Sequence, residues 1–484
     1  MTRPAESALN ELSTASQGAF GDAWLGYRAG MPPRLPCLLN DPPAASGLTW
    51  LANARLFDGT AAPVRERVAV LVEDGRIAAI AGAGEAPPDA ARVIDVGGRT
   101  LMPGLIDAHQ HATAGSRYFC KSANEAGTEA IWPGTAAHVV AQVLRELLRM
   151  GITTFRDVGG YDDLLVEARQ AMRYGAFAGP RVLACGRIVS ATSPGGRFFH
   201  GMYREADGAD EIRKAVREQI RYGADFIKVM TTGARSVELE DPDPAQLTRA
   251  EVSVLVEESH RMGYRVAAHC EGMPGTEIAI EEGIDTIEHG MYLNQRPELL
   301  ERMARDGQVL VPTVSCLYGV AGLGERIGTS LDDEEYQGGT GSGIKRPPMP
   351  TWTTLLVDLA QYNVEQAALT IQAARAAGVT IAMGFDWGPA HRSALELLRM
   401  IHMGLTPQEG LISATSAAAT ALGLEEHIGT LQVGKLADLL VVDGDPLTRP
   451  EVLLERESIW LVTRLGEPVA GSSLERDPAE PAAA

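Results

Sequence analysis

From Leu101 onward, short apolar runs alternate with longer segments of helical period. Eight runs are predicted as strands: LMPGLIDAHQH, GITTFRDVG, PRVLACGRIV, DFIKVMTT, YRVAAHCE, DTIEHG, QVLVPTVS and VTIAMGFDW. Helical patterns, such as those at 138–150 and 249–263, follow most of them, and this alternation is typical of βαβ units. Eight alternations over about 320 residues favour an α/β fold of the (β/α)8 TIM-barrel type. A doubly wound open sheet is the alternative, although no glycine-rich phosphate loop follows the first strand.

Strand-like runs also occur on both sides of this alternating region. Residues 48–56, 68–72, 77–80 and 93–96 form short apolar runs, and Asp74-Gly75 predicts a hairpin turn. Beyond the last helical pattern, KLADLLVVDG and SIWLVTRLG are of the same type. Because neither group alone could bury a core, we expect the two groups to combine into one small β-sandwich.

These patterns predict the organisation of the whole chain. The predicted segments are an N-terminal extension (1–45), the first segment of the β-sandwich (46–100), the barrel (101–424), the second segment of the β-sandwich (425–472) and a flexible tail (473–484). A glycine-rich insertion at 319–352 follows the seventh strand. Loops of that length in compact domains are often functional, so we expect a lid over the barrel mouth.

The composition favours a globular enzyme with a small-molecule substrate. The chain is 45% hydrophobic and 22% charged, with a net charge of −20. This charge disfavours nucleic acids and anionic membranes as partners. No apolar run reaches the ~18 residues of a membrane span, and the first residues lack a signal-peptide pattern. Five cysteines without a CxxC pair fit a reducing compartment, so we expect a cytoplasmic protein, and we also expect a homo-oligomer.

Ligand-type side chains stand at the predicted carboxyl ends of the strands. His109 and His111 are two residues apart at the end of the first strand, which puts both on one face. An HxH pair alone is weak evidence. However, His269 ends the fifth strand, His289 the sixth and Asp386 the eighth. Barrels place catalysis at this end, so the joint pattern predicts a metal site.

Lys228 lies inside the apolar run Phe226–Met230, which should be buried on both faces. A bare ammonium group would be unfavourable there. The amine is therefore paired, neutral or modified, unless it reaches solvent at the strand end.

Six segments resemble the amidohydrolase superfamily: GLIDAHQH, FIKVM, AAHCE, TIEHG, GFDWG and GTLQVGKLADLLVVDGDP. The resemblance covers about residues 48–470. It implies two divalent metal ions, expected to be zinc. It also implies that His109, His111 and Asp386 bind the buried ion and that His269 and His289 bind the outer one. Lys228, carboxylated by CO2, would bridge the two ions as a carbamate.

Within the superfamily, the segments KVMTTGA and IEHGMYL and residues 391–424 are most similar to imidazolonepropionase-like and Xaa-Pro dipeptidase-like hydrolases. That group includes enzymes for acyl-amino-acid amides, ochratoxin-type amides, and phenylurea or carbamate compounds. One departure concerns the loop after the third strand. Relatives usually carry Gly-Gly-His-Gly there, whereas this chain reads Gly195-Gly196-Arg197-Phe198-Phe199-His200-Gly201.

The sequence therefore predicts a binuclear amidohydrolase that cleaves a C–N bond with a metal-activated hydroxide. Asp386 is expected to accept and return the proton, and Lys228 to bridge the metals. The candidate substrate-binding residues are His200, Arg197, Arg235, Tyr292, His391 and Trp387.

The predicted substrate class depends on which of these side chains line the site. Aromatic residues at the strand ends favour a small, largely apolar amide, carbamate or urea. An arginine could instead pair with a carboxylate, so a Xaa-Pro dipeptidase-like or N-acyl-amino-acid exopeptidase is the alternative. A mononuclear deaminase, which would lack the bridging lysine, and a non-catalytic homologue are the further alternatives.

Overall fold

The computed structural model describes residues 36–39, 41, 42, 44, 46–113, 133–160, 164–199, 201–237, 239–321, 323, 326, 327, 354–386 and 390–475. Most of the predicted N-terminal extension and most of the predicted insertion at 319–352 lie outside these residues, so the expected lid stays a prediction. Across the described ranges, no helix is long and apolar enough to cross a membrane.

One sheet joins strands from both sides of the parallel region. Its strands are β1 (Leu48–Leu56), β2 (Arg65–Glu73), β3 (Arg76–Ala81), β4 (Arg92–Asp95), β5 (Thr100–Pro103), β16 (Leu439–Val442), β17 (Ile459–Arg464) and β18 (Glu467–Ala470). The order is β18-β17-β16-β5-β1-β2-β3, with β4 beside β1. The two flanking segments meet where β5 and β16 pair antiparallel, with Leu439 opposite Pro103.

Asp74 and Gly75 form the tight turn between β2 and β3. Their φ angles are 46° and 77°, and Glu73 pairs with Arg76 on either side of them. A two-residue hairpin of this kind needs left-handed backbone at both turn positions, which aspartate and glycine tolerate. The hairpin predicted from the Asp-Gly pair is confirmed.

The parallel strands fall into two sheets. The first contains β6 (Leu105–Gln110), β7 (Ile152–Asp157) and β8 (Arg181–Ala184). The second, in the order β10-β9-β11-β12-β13-β14-β15, contains β9 (Ile188–Ser190), β10 (Tyr203–Glu205), β11 (Ile227–Met230), β12 (Val266–Cys270), β13 (Thr286–His289), β14 (Val309–Val311) and β15 (Thr380–Ile381). Nearly all of these residues are buried, as expected for parallel strands covered on both faces.

Two strands predicted as continuous are interrupted. The first breaks at Gly104, a position where a Cβ would lie 2.2 Å from Oγ1 of Thr153, so that only glycine fits there. As a result β5 joins the outer sheet and only β6 joins the parallel strands. The third breaks around Gly186, whose φ of 70° is left-handed. Its two pieces, β8 and β9, belong to different sheets.

Helices connect most of the parallel strands. They are α1 (Pro36–Leu39), α2 (Pro133–Arg149), α3 (Leu164–Arg173), α4 (Pro194–Phe198), α5 (Ala209–Tyr222), α6 (Arg249–Arg261), α7 (Met273–Glu281), α8 (Pro297–Asp306), α9 (Val314–Val320), α10 (Thr354–Ala377), α11 (Ala394–His402), α12 (Pro407–Ser413), α13 (Ser416–Leu422) and α14 (Ser472–Glu475). Four short 3-10 helices lie at Leu293–Gln295, Ala390–Arg392, Pro450–Leu454 and Arg456–Ser458. Local sequence sets their ends: Thr248 and Glu251 form a capping box at the start of α6.

The segment after β15 runs beside β6. The amide of Ala108 donates to the carbonyl of Met383 over 2.8 Å, and the amide of Asp386 donates to the carbonyl of His109 over 2.9 Å. These hydrogen bonds bring the carboxyl end of the first parallel strand to the end of the last one. Residues far apart in the chain therefore share one end of the sheet system.

Candidate metal centre

His109, His111 and Asp386 form a first group of ligand-type side chains, with donor atoms all within 4.8 Å of one another. The Nε2 atoms of His109 and His111 lie 3.5 Å and 3.3 Å from Oδ1 of Asp386. The Nδ1 atoms are engaged elsewhere, with Oε2 of Glu288 at 2.6 Å and the Gly159 carbonyl at 2.7 Å. These outer contacts orient both rings so that Nε2 is the atom available to a metal ion.

His269, Glu271 and His289 form a second group with the same spacing criterion. Nδ1 of His269 lies 2.8 Å from Nε2 of His289. Nε2 of His269 lies 3.1 Å from the Gly233 carbonyl, and Nδ1 of His289 lies 2.6 Å from Oγ1 of Thr313. One nitrogen of each ring therefore faces the other ring, as two ligands of a single ion would.

The two groups adjoin each other. Nδ1 of His289 lies 3.9 Å from Oδ2 of Asp386, and the ring centres of His109 and His289 are 5.1 Å apart. A cavity is lined by Arg235, Ser236, His269, Glu271, His289, Cys316, Leu317, Val320, Asn363 and Asp386. Asp386 of the first group and all three members of the second group thus line the same cavity.

Left-handed backbone turns two of these side chains into the site. His289 has a φ of 65° and Asp386 a φ of 47°. A strand alternates its side chains between two faces, and left-handed φ at a strand end breaks that alternation. This explains how the consecutive residues Glu288 and His289 both contact site histidines.

Charge and burial set the ionisation of Asp386. Burial alone would raise the pKa of Asp386, but its interactions with His109 and His111 outweigh burial and hold the pKa well below its usual value. Asp386 is therefore a carboxylate, able to bind a cation or accept a proton.

Lys228 is buried in β11, and its Nζ atom has no hydrogen-bond partner among the described residues. Burial lowers the pKa of Lys228, against the opposing charges of Glu288 and Asp386. An amine in this environment is shifted toward its neutral form. The buried, unpartnered nitrogen is the feature that the sequence led us to expect to be paired, neutral or modified.

Glu288 was not among the sequence candidates, although it contacts one of them. Its Oε1 atom accepts hydrogen bonds from Arg156 at 2.7 Å and Thr286 at 2.5 Å, while Oε2 faces Nδ1 of His109. Burial opposes ionisation, but Arg156 and His109 lower the pKa of Glu288 to about 2. A permanent carboxylate therefore fixes Nδ1 of His109 as the protonated nitrogen.

Asp107 ties the ends of two strands together. Its Oδ1 atom accepts from the amides of His109 and Phe385, both at 3.1 Å, and Oδ2 accepts from Ser393 at 2.7 Å. Burial raises the pKa of Asp107 to about 6, and the Ser393 hydrogen bond opposes the rise. This residue acts on the site by holding the backbone on either side of it.

Glu271 was also missed, and here a signal was present. It lies two residues after His269, the same spacing that identified His109 and His111. In the structure Glu271 directly follows β12, which ends at Cys270.

The candidate substrate residues are distributed unevenly around the site. Arg235 lines the cavity, and its guanidinium group lies 5.3 Å from the ring centre of Tyr292. Arg197 is exposed, His391 is half-buried, and neither lines the cavity. His200 and Trp387 lie outside the described residues. Two further aromatic residues follow the third predicted strand: Phe198 is 38% exposed, and Phe199 packs against Tyr203.

Comparison with known proteins places this geometry in context. Ochratoxinase from Aspergillus niger is 29% identical over 453 residues, covering 88% of each chain. Imidazolonepropionase from Symbiobacterium thermophilum is 26% identical over 396 residues, covering 77% of this chain and 83% of the relative. A Xaa-Pro dipeptidase crystallised with methionine in its active site is 27% identical, with a TM-score of 0.72, covering 87% of this chain and 99% of that one.

A family model matches most of the chain as well. The model of the amidohydrolase family matches residues 100–469. This range contains every residue of both ligand-type groups together with Lys228. The chain belongs to the amidohydrolase family.

Proposed function

We propose that this protein is a metal-dependent hydrolase of C–N bonds with a binuclear centre. One observation carries the proposal: two groups of ligand-type side chains adjoin each other and reach a single cavity. A single metal site would need only one such group. A second group beside it is typical of sites in which two ions act on one substrate.

The donor set fits two divalent ions, and we propose zinc. Imidazole nitrogens and carboxylate oxygens are common zinc ligands. We assign His109, His111 and Asp386 to one ion and His269 and His289 to the other, with Glu271 close to the second. When bound, such ions lower the pKa of a water molecule and polarise a carbonyl group.

We further propose that Lys228 is carboxylated. Its neutral amine would add to the carbon of CO2, forming an N–C bond and releasing one proton. The resulting carbamate would carry two oxygens, each of which can bind a cation, in place of a bare amine that has no hydrogen-bond partner among the described residues. The burial of Lys228 and its unpartnered Nζ support this assignment.

Asp386 is our candidate for the proton shuttle. Hydrolysis adds the oxygen of water to the carbonyl carbon and breaks the C–N bond, and the leaving nitrogen needs a proton. As a carboxylate, Asp386 can accept a proton from water and return it to that nitrogen. Nε2 of His109 and Nε2 of His111 lie 3.5 Å and 3.3 Å from its Oδ1 atom, and Asp386 lines the cavity.

For the fold, we propose that the two parallel sheets close into one (β/α)8 barrel over about residues 101–424, with the outer sheet belonging to a small sandwich. The hydrogen bonds from Ala108 and Asp386 link the first strand to the last segment. The amide of Asp225 also donates to the carbonyl of Ala184 over 2.8 Å, joining the sheets at their other meeting point.

Two substrate classes compete. The aromatic residues at the strand ends favour small apolar amides, carbamates or ureas, and Tyr292 stands near the cavity through its contact with Arg235. Exopeptidase substrates carry a carboxylate, and Arg235 lines the cavity. Similarity to a Xaa-Pro dipeptidase supports the same class. We therefore give the carboxylate-bearing class more weight than the sequence did.

A substrate panel with metal analysis tests the proposal. Purified full-length protein, supplied with zinc and bicarbonate, is assayed on dipeptides, N-acyl amino acids, anilides, carbamates and ureas. We expect about two metal ions per chain and C–N cleavage within the panel. One ion per chain with ammonia release from a nucleobase-type substrate would indicate the deaminase alternative. A fully metallated protein without hydrolase activity would indicate a non-catalytic homologue.

A further inference from the structure

We infer that the cavity contains a carboxylate-binding subsite formed by Arg235 and Asn363. The inference rests on the proposed function, because it names the chemical class of the substrate for the same cavity. Both residues line that cavity. Each also carries a buried N–H donor with no hydrogen-bond partner among the described residues.

Asn363 provides the clearer of the two donors. Its side chain is completely buried, and the hydroxyl of Tyr292 donates to its Oδ1 atom over 2.6 Å. That contact occupies the acceptor of the amide and leaves Nδ2 as the unpartnered atom. Buried amide donors are nearly always satisfied. An unsatisfied one on a cavity wall points to a ligand that supplies an acceptor.

Arg235 provides the charge. Its side chain is 10% exposed, its Nη2 atom donates to the Glu271 carbonyl over 3.0 Å, and its Nε atom has no hydrogen-bond partner within the described ranges. The Tyr292 ring lies under the guanidinium group at 5.3 Å. Tyr292 thus contacts both donor residues and holds them in one arrangement. A guanidinium group with a free N–H is the usual receptor for a carboxylate.

The carboxylate of Glu271 does not fill this role. Its Oε2 atom accepts from the backbone amide of Arg235 over 2.6 Å, while the Nε atom of Arg235 lies 3.7 Å away. This second distance is beyond hydrogen-bond range. Asp243 is similarly distant, at 3.6 Å from Nη2 of Arg235. Both acidic groups therefore orient the arginine and leave its Nε–H for a ligand.

The remaining wall shows what the carboxylate would be attached to. Leu317 and Val320 of α9 are buried apolar residues on the cavity wall, and Cys316 stands beside them. Asp386 and His289 line the same space. A carboxylate, an apolar side chain and a hydrolysable amide within one small molecule describe an N-acylated apolar amino acid or a dipeptide.

The test compares two amides that differ only in the carboxylate. N-acetyl-L-methionine and N-acetyl-3-(methylthio)propylamine share the amide and the apolar chain. With the zinc-loaded full-length enzyme, we expect kcat/KM to be at least about 30-fold higher for the carboxylate, the lower range for a buried charge pair. The preference should fall to a few-fold in Arg235→Gln and in Asn363→Asp. Equal turnover of the two amides by the wild type would overturn the inference.

Matched variants separate the subsite from general damage. Arg173→Gln removes an exposed arginine outside the cavity, and Asn294→Asp alters an asparagine that contacts α10 away from the cavity. Both should keep the full preference. Arg235→Lys retains the positive charge but loses the planar guanidinium group with its paired N–H donors, so it should keep part of the preference for the carboxylate. Metal content and the thermal midpoint are measured for every variant. A preference that survives in folded Arg235→Gln and Asn363→Asp contradicts the assignment.

Calorimetry distinguishes failure of the subsite from failure of the proposed function. L-methionine and 3-(methylthio)propylamine are titrated into the same proteins, with no turnover required. Carboxylate-dependent binding that Arg235→Gln abolishes supports the subsite even if neither amide is cleaved. If carboxylate makes no difference to binding, the subsite is wrong, even if other panel substrates show that the protein is a C–N hydrolase.

Discussion

Nδ1 of His109 lies 2.6 Å from Oε2 of Glu288, a fully buried carboxylate whose other oxygen is held by Arg156. The pair joins the end of β6 to the end of β13. It therefore couples the ring orientation of one proposed ligand to the strand that carries another, His289. The position of the His109 ring, a proposed metal ligand, therefore depends on Glu288, to which we assign no metal ion.

The first prediction follows from this pair. Glu288→Gln should weaken metal binding by about 10–100-fold, because the His109 ring loses its charged partner. Metal affinity measured with a chelating competitor checks this. Glu258→Gln is the control. Glu258, on α6, is also a buried carboxylate, but it pairs with Arg217 of α5 and Arg261 of α6 and contacts none of the described site histidines. Unchanged affinity in a folded Glu288→Gln protein would remove the positioning role.

The second prediction concerns Lys228. Lys228→Met should lose most bound metal and activity while remaining folded, because methionine fits in place of the buried side chain and needs no hydrogen-bond partner, and the described residues offer Nζ none. Metal content and thermal midpoint are measured together. In Lys228→Ala, short carboxylic acids should restore part of the activity by occupying the vacated space. A metallated wild-type crystal with an unmodified Lys228 amine would refute the carbamate.

The third prediction concerns Asp386. Asp386→Asn should keep the fold and much of the metal but lower kcat by about 10²–10⁴-fold, the usual scale for a general base. The amide cannot take the proton from water. Initial rates on the panel substrate that the wild type cleaves fastest, with metal content measured in parallel, check this. Near wild-type turnover would rule out Asp386 as the shuttle.

The fourth prediction uses Glu396, a buried carboxylate on α11 whose oxygens accept from the amides of Val314 and Ser315. Burial raises the pKa of Glu396 to about 7, against these hydrogen bonds. Between the unfolded value of 4.5 and about 7 the folded state binds the extra proton. Stability should therefore fall as pH rises through this window, by about 3 kcal/mol at most.

Thermal midpoints at the two ends of that window provide the measurement. The contribution should disappear in Glu396→Gln, which keeps a neutral side chain of the same shape at every pH. Other groups titrate in the same range, so the difference between wild type and variant is the relevant quantity. Parallel pH profiles for the two proteins would show that Glu396 does not titrate there.

The sequence predicts those features that depend on the periodicity of hydrophobic residues and on where the strands end. His109, His111, His269 and His289 each stand at or next to the end of a parallel strand, and Asp386 lies in the segment that follows β15. The structure brings all five together. Alternation along the chain is enough to predict this, because the carboxyl ends of parallel strands meet at one edge.

What the sequence could not supply depends on contacts across the fold. Glu288 reads as an ordinary polar residue until Arg156 and His109 are seen around it. Asn363 lies in the middle of a long helix, where nothing in its neighbours marks it as a cavity residue. The interruptions at Gly104 and Gly186 likewise coincide with a close approach to Thr153 and with left-handed backbone, which only the folded chain reveals.

The hydrogen bonds between the end of β6 and the segment around Asp386 also bear on how the chain folds. Asp107 and the amide of Phe385 are 278 residues apart in the chain, yet they share a bond beside the proposed inner site. Such a contact closes a very large loop, which costs conformational entropy. The ring of His109 can therefore be held for an ion only in a chain whose first parallel strand and last segment have already met.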